Sequence, residues 1–259
     1  MNPVGPVNHV FRQPAIASQS VSTPKASPVA SKVVVPRFPV DRSGHINMPA
    51  QEILASLCAK NEVTYLADTH GKLGIPAFVS GAASKLKEAG VEMAGVEFVK
   101  YSENAAFQAA LSHGEGAVQD FLNKDWGKHG YEWTGRVAKA ICDLKNAGIK
   151  VVGIDRAVAG PAPTNLRESL AYMRKRLALN GAWDMALVRE LSSASMSKAI
   201  VWGGATHFRT GDANGPSDMR PGPVMGFAFE GEQDALALGQ SRMRSLDNKP
   251  LIETTLANS

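Results

Sequence analysis

One stretch of this chain occurs twice in altered form, and it limits what the chain can fold into. Leu86-Lys87-Glu88-Ala89-Gly90-Val91-Glu92-Met93-Ala94-Gly95-Val96-Glu97 aligns with Leu144-Lys145-Asn146-Ala147-Gly148-Ile149-Lys150-Val151-Val152-Gly153-Ile154-Asp155. Each copy reads as the end of a helix, a glycine, a short apolar strand and an acid. Glycine is the residue helices prefer just past their last turn, because it enters the left-handed region without a Cβ clash. Units of helix, glycine and strand recur in any α/β protein, so the pair need not record a duplication. What it fixes is position, since Glu97 and Asp155 fall at the C-terminal ends of two strands.

The rest of the chain from Met48 follows the same alternation. Apolar residues at helical spacing predict helices over 49–60, 75–89 and 132–147, one or two short helices over 102–123 broken near His113-Gly114, and helix over 164–195 interrupted near Asn180-Gly181. Short apolar runs predict strands at 63–67, 91–98, 149–154, 199–203 and 224–229. Helices alternating with short buried strands predict an α/β fold with a mostly parallel central sheet and helices on both faces. We expect residues 48–259 to form one such domain.

Residues 1–47 are different. The segment is rich in Pro, Ser, Val, Ala and Gln; Pro3, Pro6, Pro14, Pro24, Pro28, Pro36 and Pro39 break any regular element, and it cannot bury enough surface to order itself. This leader is expected to be disordered. Residues 1–40 hold Arg12, Lys25, Lys32 and Arg37 without an acid, and thus the whole formal charge of +4; residues 41–259 are balanced at 24 basic and 24 acidic residues. A balanced domain has no electrostatic footprint for a polyanion, so no nucleic-acid partner is expected. An acid-free, Ser-rich leader suits an organelle transit peptide, a type III secretion leader or a plain flexible tail. No apolar run approaches the roughly 20 residues of a membrane span. The N-terminus also lacks the apolar stretch of a cleavable signal peptide. Cys58 and Cys142 lie in helical apolar stretches, where cysteine packs as a small hydrophobe.

Strand ends carry the chemistry. The first strand breaks into Asp68-Thr69-His70-Gly71, the second ends at Glu97, the third at Asp155-Arg156, and the fourth runs into Gly203-Gly204-Ala205-Thr206-His207. If the strands are parallel neighbours, these side chains converge on one edge of the sheet, where open α/β folds bind their ligands. His113 and His129 fall in helix or turn contexts and are expected to be exposed. Tyr172, Met173, Leu177 and Leu179 read as core. The Gly/Pro-rich stretch 208–223 after His207 has the length of a lid. Dinucleotide, phosphate-loop, zinc-helix and nucleophile-elbow motifs are lacking.

Ala67-Asp68-Thr69-His70, Glu97 and Gly203-Gly204-Ala205-Thr206-His207 resemble the strand-end motifs of the erythromycin esterase-like, ChaN-like and TIKI-like group of α/β proteins. The likeness covers about residues 50–230. It departs at Asp68, where that group usually has glutamate, and at Ala67, where it has glycine. With its acid-free leader the chain also resembles the HopBA class of type III effectors of plant-pathogenic Pseudomonas. That resemblance implies secretion by a type III system, action in the host cell cytoplasm, host cell death, and a plant immune receptor as a partner. The wider group contains hydrolases, metal-dependent proteases and haem-binding proteins, so the fold does not choose among them.

Two histidines with two or three carboxylates suit acid–base hydrolysis, with His70 or His207 taking a proton from water beside Glu97 or Asp68. The same set would suit a divalent metal. The expected catalytic set is His70, Glu97, His207 and Asp68. Asp155, Arg156, Lys72 and Gly204 are expected to bind an unidentified small-molecule or host substrate, with Arg156 offering its two-pronged donor face to an anion. No cofactor is assigned. The alternative is a binding protein on the same scaffold that a host partner recognises without chemistry.

Overall fold

The computed structural model describes residues 32–158, 163–209, 219–232, 235–246 and 249–257. In chain order the elements begin with β1 (His45–Ile46), α1 (Ala50–Lys60), β2 (Val63–Asp68), α2 (Gly74–Glu88) and β3 (Met93–Lys100). Next come α3 (Asn104–Ser112), α4 (Glu115–Trp126), α5 (Tyr131–Asn146), β4 (Lys150–Asp155), α6 (Leu166–Leu177) and α7 (Asn180–Ser193). The chain finishes with β5 (Ala199–Gly204), α8 (Ala205–Arg209), β6 (Val224–Phe229), β7 (Ser241–Leu246) and β8 (Lys249–Leu256).

One eight-stranded sheet runs in the order β1-β7-β8-β6-β2-β5-β3-β4. From β8 to β4 every neighbouring pair is parallel, and only β7 and β1 run against their neighbours. Side chains alternate across the strands and so build two cores. Leu66, Ala94, Val96, Ile200 and Trp202 pack beneath α2 and α5. Tyr65, Met93, Ile154 and Val201 pack on the opposite face with Trp183 and Leu187 of α7. The expected α/β class, a mostly parallel sheet covered on both faces, is the one observed.

The hairpin of β7 and β8 has no counterpart in the sequence reading, which ends its strands at Phe229. Polar cross-strand pairs hold it: Arg242 Nη2 lies 2.7 Å from Glu253 Oε2, and the hydroxyls of Ser241 and Thr254 are 2.7 Å apart. Periodicity of apolar residues cannot reveal such strands.

Of the expected leader, residues 1–31 lie outside the described residues. Residues 32–47 run along the domain. The Val34 N–H donates to Asn61 Oδ1 at 2.9 Å and the Asn61 amide donates back to the Val34 carbonyl at 2.7 Å. Val35 and Phe38 pack on Ile53, Leu57 and Ile252. Of the expected lid at 208–223, residues 210–218 lie outside the described residues.

Two local features shape the edge of the sheet near the candidate site. Val96 pairs with Gly153 and Lys100 with Asp155, so β3 spends four residues where β4 spends two. Such a bulge bends a strand and re-aims its side chains. It presses Val99 onto Gly153, where a Cβ would stand 2.4 Å from the Val99 carbonyl oxygen. β4 is the last strand of the sheet, with no strand beside its outer edge among the described residues. Asn104 there holds both the N–H and the C=O of Gly153, at 2.7 and 2.9 Å, and Gln108 donates to the Val151 carbonyl at 2.8 Å.

Candidate functional site

β2 ends at Asp68, in register with Gly204 at the end of β5. Asp68 is buried, and Trp202 from β5 donates its indole N–H to Asp68 Oδ2 at 2.9 Å. The chain then turns through Gly71 at φ +91°, a conformation that favours glycine. The turn delivers His70 between two carboxylates. Its Nδ1 lies 3.8 Å from Asp68 Oδ2 and its Nε2 3.5 Å from Glu97 Oε2. Both separations exceed a hydrogen bond, so the imidazole is held by charge and by packing. The ring sits among Phe98, Trp126, His129 and Trp133, with ring centres 5.7, 5.0, 5.6 and 5.8 Å away.

Glu97, on the bulged part of β3, is where the contacts meet. Its Oε2 accepts the Gly204 N–H at 2.5 Å, and its Oε1 accepts Arg176 Nη2 at 2.5 Å and lies 3.5 Å from His207 Nε2. Arg176 continues to Asp155, with Nη1 at 2.9 and 2.8 Å from its two oxygens, and the Trp183 indole adds a third hydrogen bond at 3.0 Å. On the far side His207 stacks on Trp183 with ring centres 4.1 Å apart. Its Nδ1 is 2.7 Å from Asn180 Oδ1, while the Asn180 amide donates to the His207 carbonyl at 3.1 Å. An amide oxygen only accepts, so Nδ1 carries a proton and Nε2 is the atom turned to Glu97.

Charge follows from this packing. Burial opposes protonation of His70, but Asp68 and Glu97 outweigh it and pull the imidazole up to about 10. Burial likewise works against an ionised Glu97, yet His207 and His70 hold its carboxyl well below the ordinary range. Asp68 and Asp155 are both pushed up by burial, against the opposing pull of His70 on the first and Arg176 on the second. His129 is lowered by burial and then by the neighbouring His70. Among the described residues four buried polar side-chain atoms lack a hydrogen-bond partner, and three surround His70: its own Nδ1, Asp68 Oδ1 and Trp133 Nε1. Buried polar atoms are normally paired, and exceptions concentrate where a ligand or reaction completes them.

The group opens into a cavity of about 610 Å³. Asp68, His70, Glu97, Asp155, Arg156, Gly204 and His207 all line it. Lys72 does not. Its ammonium lies 4.7 Å over the Phe229 ring and 4.0 Å from Glu232. His129, expected to be exposed, is half-buried against His70, whereas His113 is exposed as expected. Tyr172 and Met173, expected in the core, line the cavity, because α6 turns that face outward. Arg176, Asn180 and Trp183 went unassigned in the sequence. The sequence offered no signal for Arg176, since α6 also carries Arg167, Arg174 and Lys175.

A divalent metal is a poor fit to these residues. Arg176 already occupies the space between Glu97 and Asp155, and Asn180 engages His207. Among the described residues no three His, Cys, Asp or Glu side chains are grouped to hold a metal ion.

Comparison with known proteins places this geometry in a family. The model of the type III effector protein HopBA1 matches residues 57–248. A curated relative, the type III effector protein HopBA1 of Pseudomonas syringae pv. aptata, is 46% identical over 196 residues, 76% of this chain and 80% of that protein. The solved structure of the type III effector HopBA1 superposes with a TM-score of 0.74 at 41% identity, over 87% of this chain and 100% of that one. ChaN of Campylobacter jejuni, described with cofacial haem binding, gives a TM-score of 0.42 at 14% identity over 71% of this chain and 87% of that one, too slight to carry function. The family match spans every strand end that supplies the site, from Asp68 to His207, and the chain belongs to the HopBA1 family of type III effector proteins.

Proposed function

We propose that this effector enters the cytoplasm of host plant cells through a type III system and there acts as an esterase-like hydrolase whose activity triggers cell death. The observation that carries this reading is the row Asp68–His70–Glu97–His207, in which half-buried His70 stands against three buried side chains at the edge of the parallel strands, all four opening into one cavity. A histidine held as an imidazolium is unsuited to take a proton, which reverses the role expected for His70. The imidazolium instead faces the negative charge that builds on a substrate oxygen. Its N–H groups, 3.5 and 3.8 Å from the carboxylates, are not saturated.

The proton acceptor in this scheme is His129, which lines the same cavity and is biased towards the neutral form. Groups whose environments push their pKa values apart divide acid and base work between them. His129 takes a proton from water, the water oxygen bonds to the acyl carbon, and the leaving oxygen departs with the proton His129 returns. Glu97 and Asp68 keep His70 charged. His207, braced by Asn180 and Trp183, holds Glu97 in place.

The test pairs purified protein with leaf expression. His70→Gln and Glu97→Gln should abolish both ester hydrolysis and cell death while the protein remains folded. Folded variants that still kill cells would leave recognition by a plant immune receptor, without chemistry, as the function.

A further inference from the structure

The cavity walls are not alike. One wall is aromatic. Trp126 lines it, half-buried, and has its only polar atom satisfied by donation to the Phe98 carbonyl at 3.0 Å, so the ring offers an apolar surface. Tyr172 and Met173 add further apolar surface elsewhere in the lining.

The charges are uneven too. Arg176 is taken up by Glu97 and Asp155, and Lys100 by Glu103 and Asp125. Arg156 and Lys128 also line the cavity, both exposed, and neither has an ion-pair partner among the described residues. The mouth therefore carries two uncompensated cations, one with a planar fork suited to a carboxylate or phosphate. A volume of about 610 Å³ is that of a small-molecule site, since ligand clefts run from roughly 300 to 1,000 Å³.

We infer that the cavity takes a small anionic ligand with a flat apolar body, the body lying on Trp126 and the anionic group meeting Arg156 and Lys128. This rests on the proposed function only for the cavity being a substrate site.

Titration calorimetry and tryptophan emission with 2-naphthyl phosphate, 2-naphthol and inorganic phosphate test it on the full chain. The naphthyl phosphate should bind at least about tenfold more tightly than either half-probe, a difference of about 1.4 kcal/mol. Arg156→Gln combined with Lys128→Gln should remove that advantage and leave 2-naphthol binding unchanged. Both positions are exposed, so the fold should persist, and a melting curve checks it. No binding of the naphthyl phosphate at millimolar concentration, equal binding of 2-naphthol or of phosphate alone, or undiminished affinity in the double variant would each overturn the inference. Binding without turnover of naphthyl esters overturns the hydrolase reading and leaves the ligand class standing. Turnover of neutral esters with no preference for anionic ones overturns the ligand class alone.

Discussion

Arg176 Nη2 meets Glu97 Oε1 at 2.5 Å across 79 residues of sequence, and the other prong of the same guanidinium lies on Asp155. The link joins α6 to two strand ends and neutralises acids that burial would otherwise make costly. Replacing Arg176 with Met leaves buried Asp155 without its cation and Glu97 with only His70 as a cation to face it. We expect a loss of about 3–5 kcal/mol in chemical denaturation. Arg176→Lys keeps the charge but cannot fork, and should fall between the two.

The charge state of His70 gives a pH signature. Its folded pKa, about 10, lies above the ordinary 6.5, so the folded state holds the proton more tightly than the unfolded chain. The stabilisation is fully present below about pH 6.5 and disappears as pH rises through about 10. The stability gap between the wild type and His70→Gln should therefore be widest on the acid side and shrink steadily up to pH 10. Denaturation midpoints measured from pH 6 to 10 would show it, and a gap independent of pH would contradict an ionised His70.

Two glycines should respond in opposite ways. A Cβ at Gly204 would lie 3.1 Å from His70 Nε2 and 3.3 Å from Glu97 Oε2, side-chain atoms that can yield slightly. Gly204→Ala should shift the site and cut the proposed hydrolysis while the melting temperature falls little. At Gly153 the Cβ would collide with backbone, 2.4 Å from the Val99 oxygen, and the bulge leaves nowhere to move. Gly153→Ala should cost about 1–3 kcal/mol or more, as overpacked cores do.

Trp202→Phe keeps most of the buried ring and deletes the donor to Asp68 Oδ2. Asp68 Oδ1 already lacks a partner, so the carboxylate would lose its hydrogen bond from the indole with no other to replace it among the described residues. The expected cost is about 1–3 kcal/mol at neutral pH, with part of it recovered in acid, where a protonated Asp68 needs less support. Melting curves at two pH values decide the matter.

Much of the scaffold was legible because helices and parallel strands announce themselves locally. Glycines at 90 and 148 marked helix ends, and apolar runs marked the strands that carry Asp68, Glu97, Asp155 and His207. The cavity does gather those four residues, together with Arg156 and Gly204. Arg176, Asn180 and His129 were not legible, because their importance arises from partners far away in sequence. A buried arginine looks like any helix arginine until its carboxylates are placed beside it. Lys72 failed for the complementary reason: nearness in sequence to His70 says nothing of which way a side chain leaves a turn. The hairpin of β7 and β8 was hidden by its own polarity.

Asn104 and Gln108 close the free side of β4 with side-chain amides where another strand would bond. An open strand edge is a template on which a second chain can add itself and begin to aggregate. This edge is stoppered from within its own neighbourhood, by residues about 45 positions upstream of the strand they cover. A chain folding anew would find this edge already masked once α3 settles against β4.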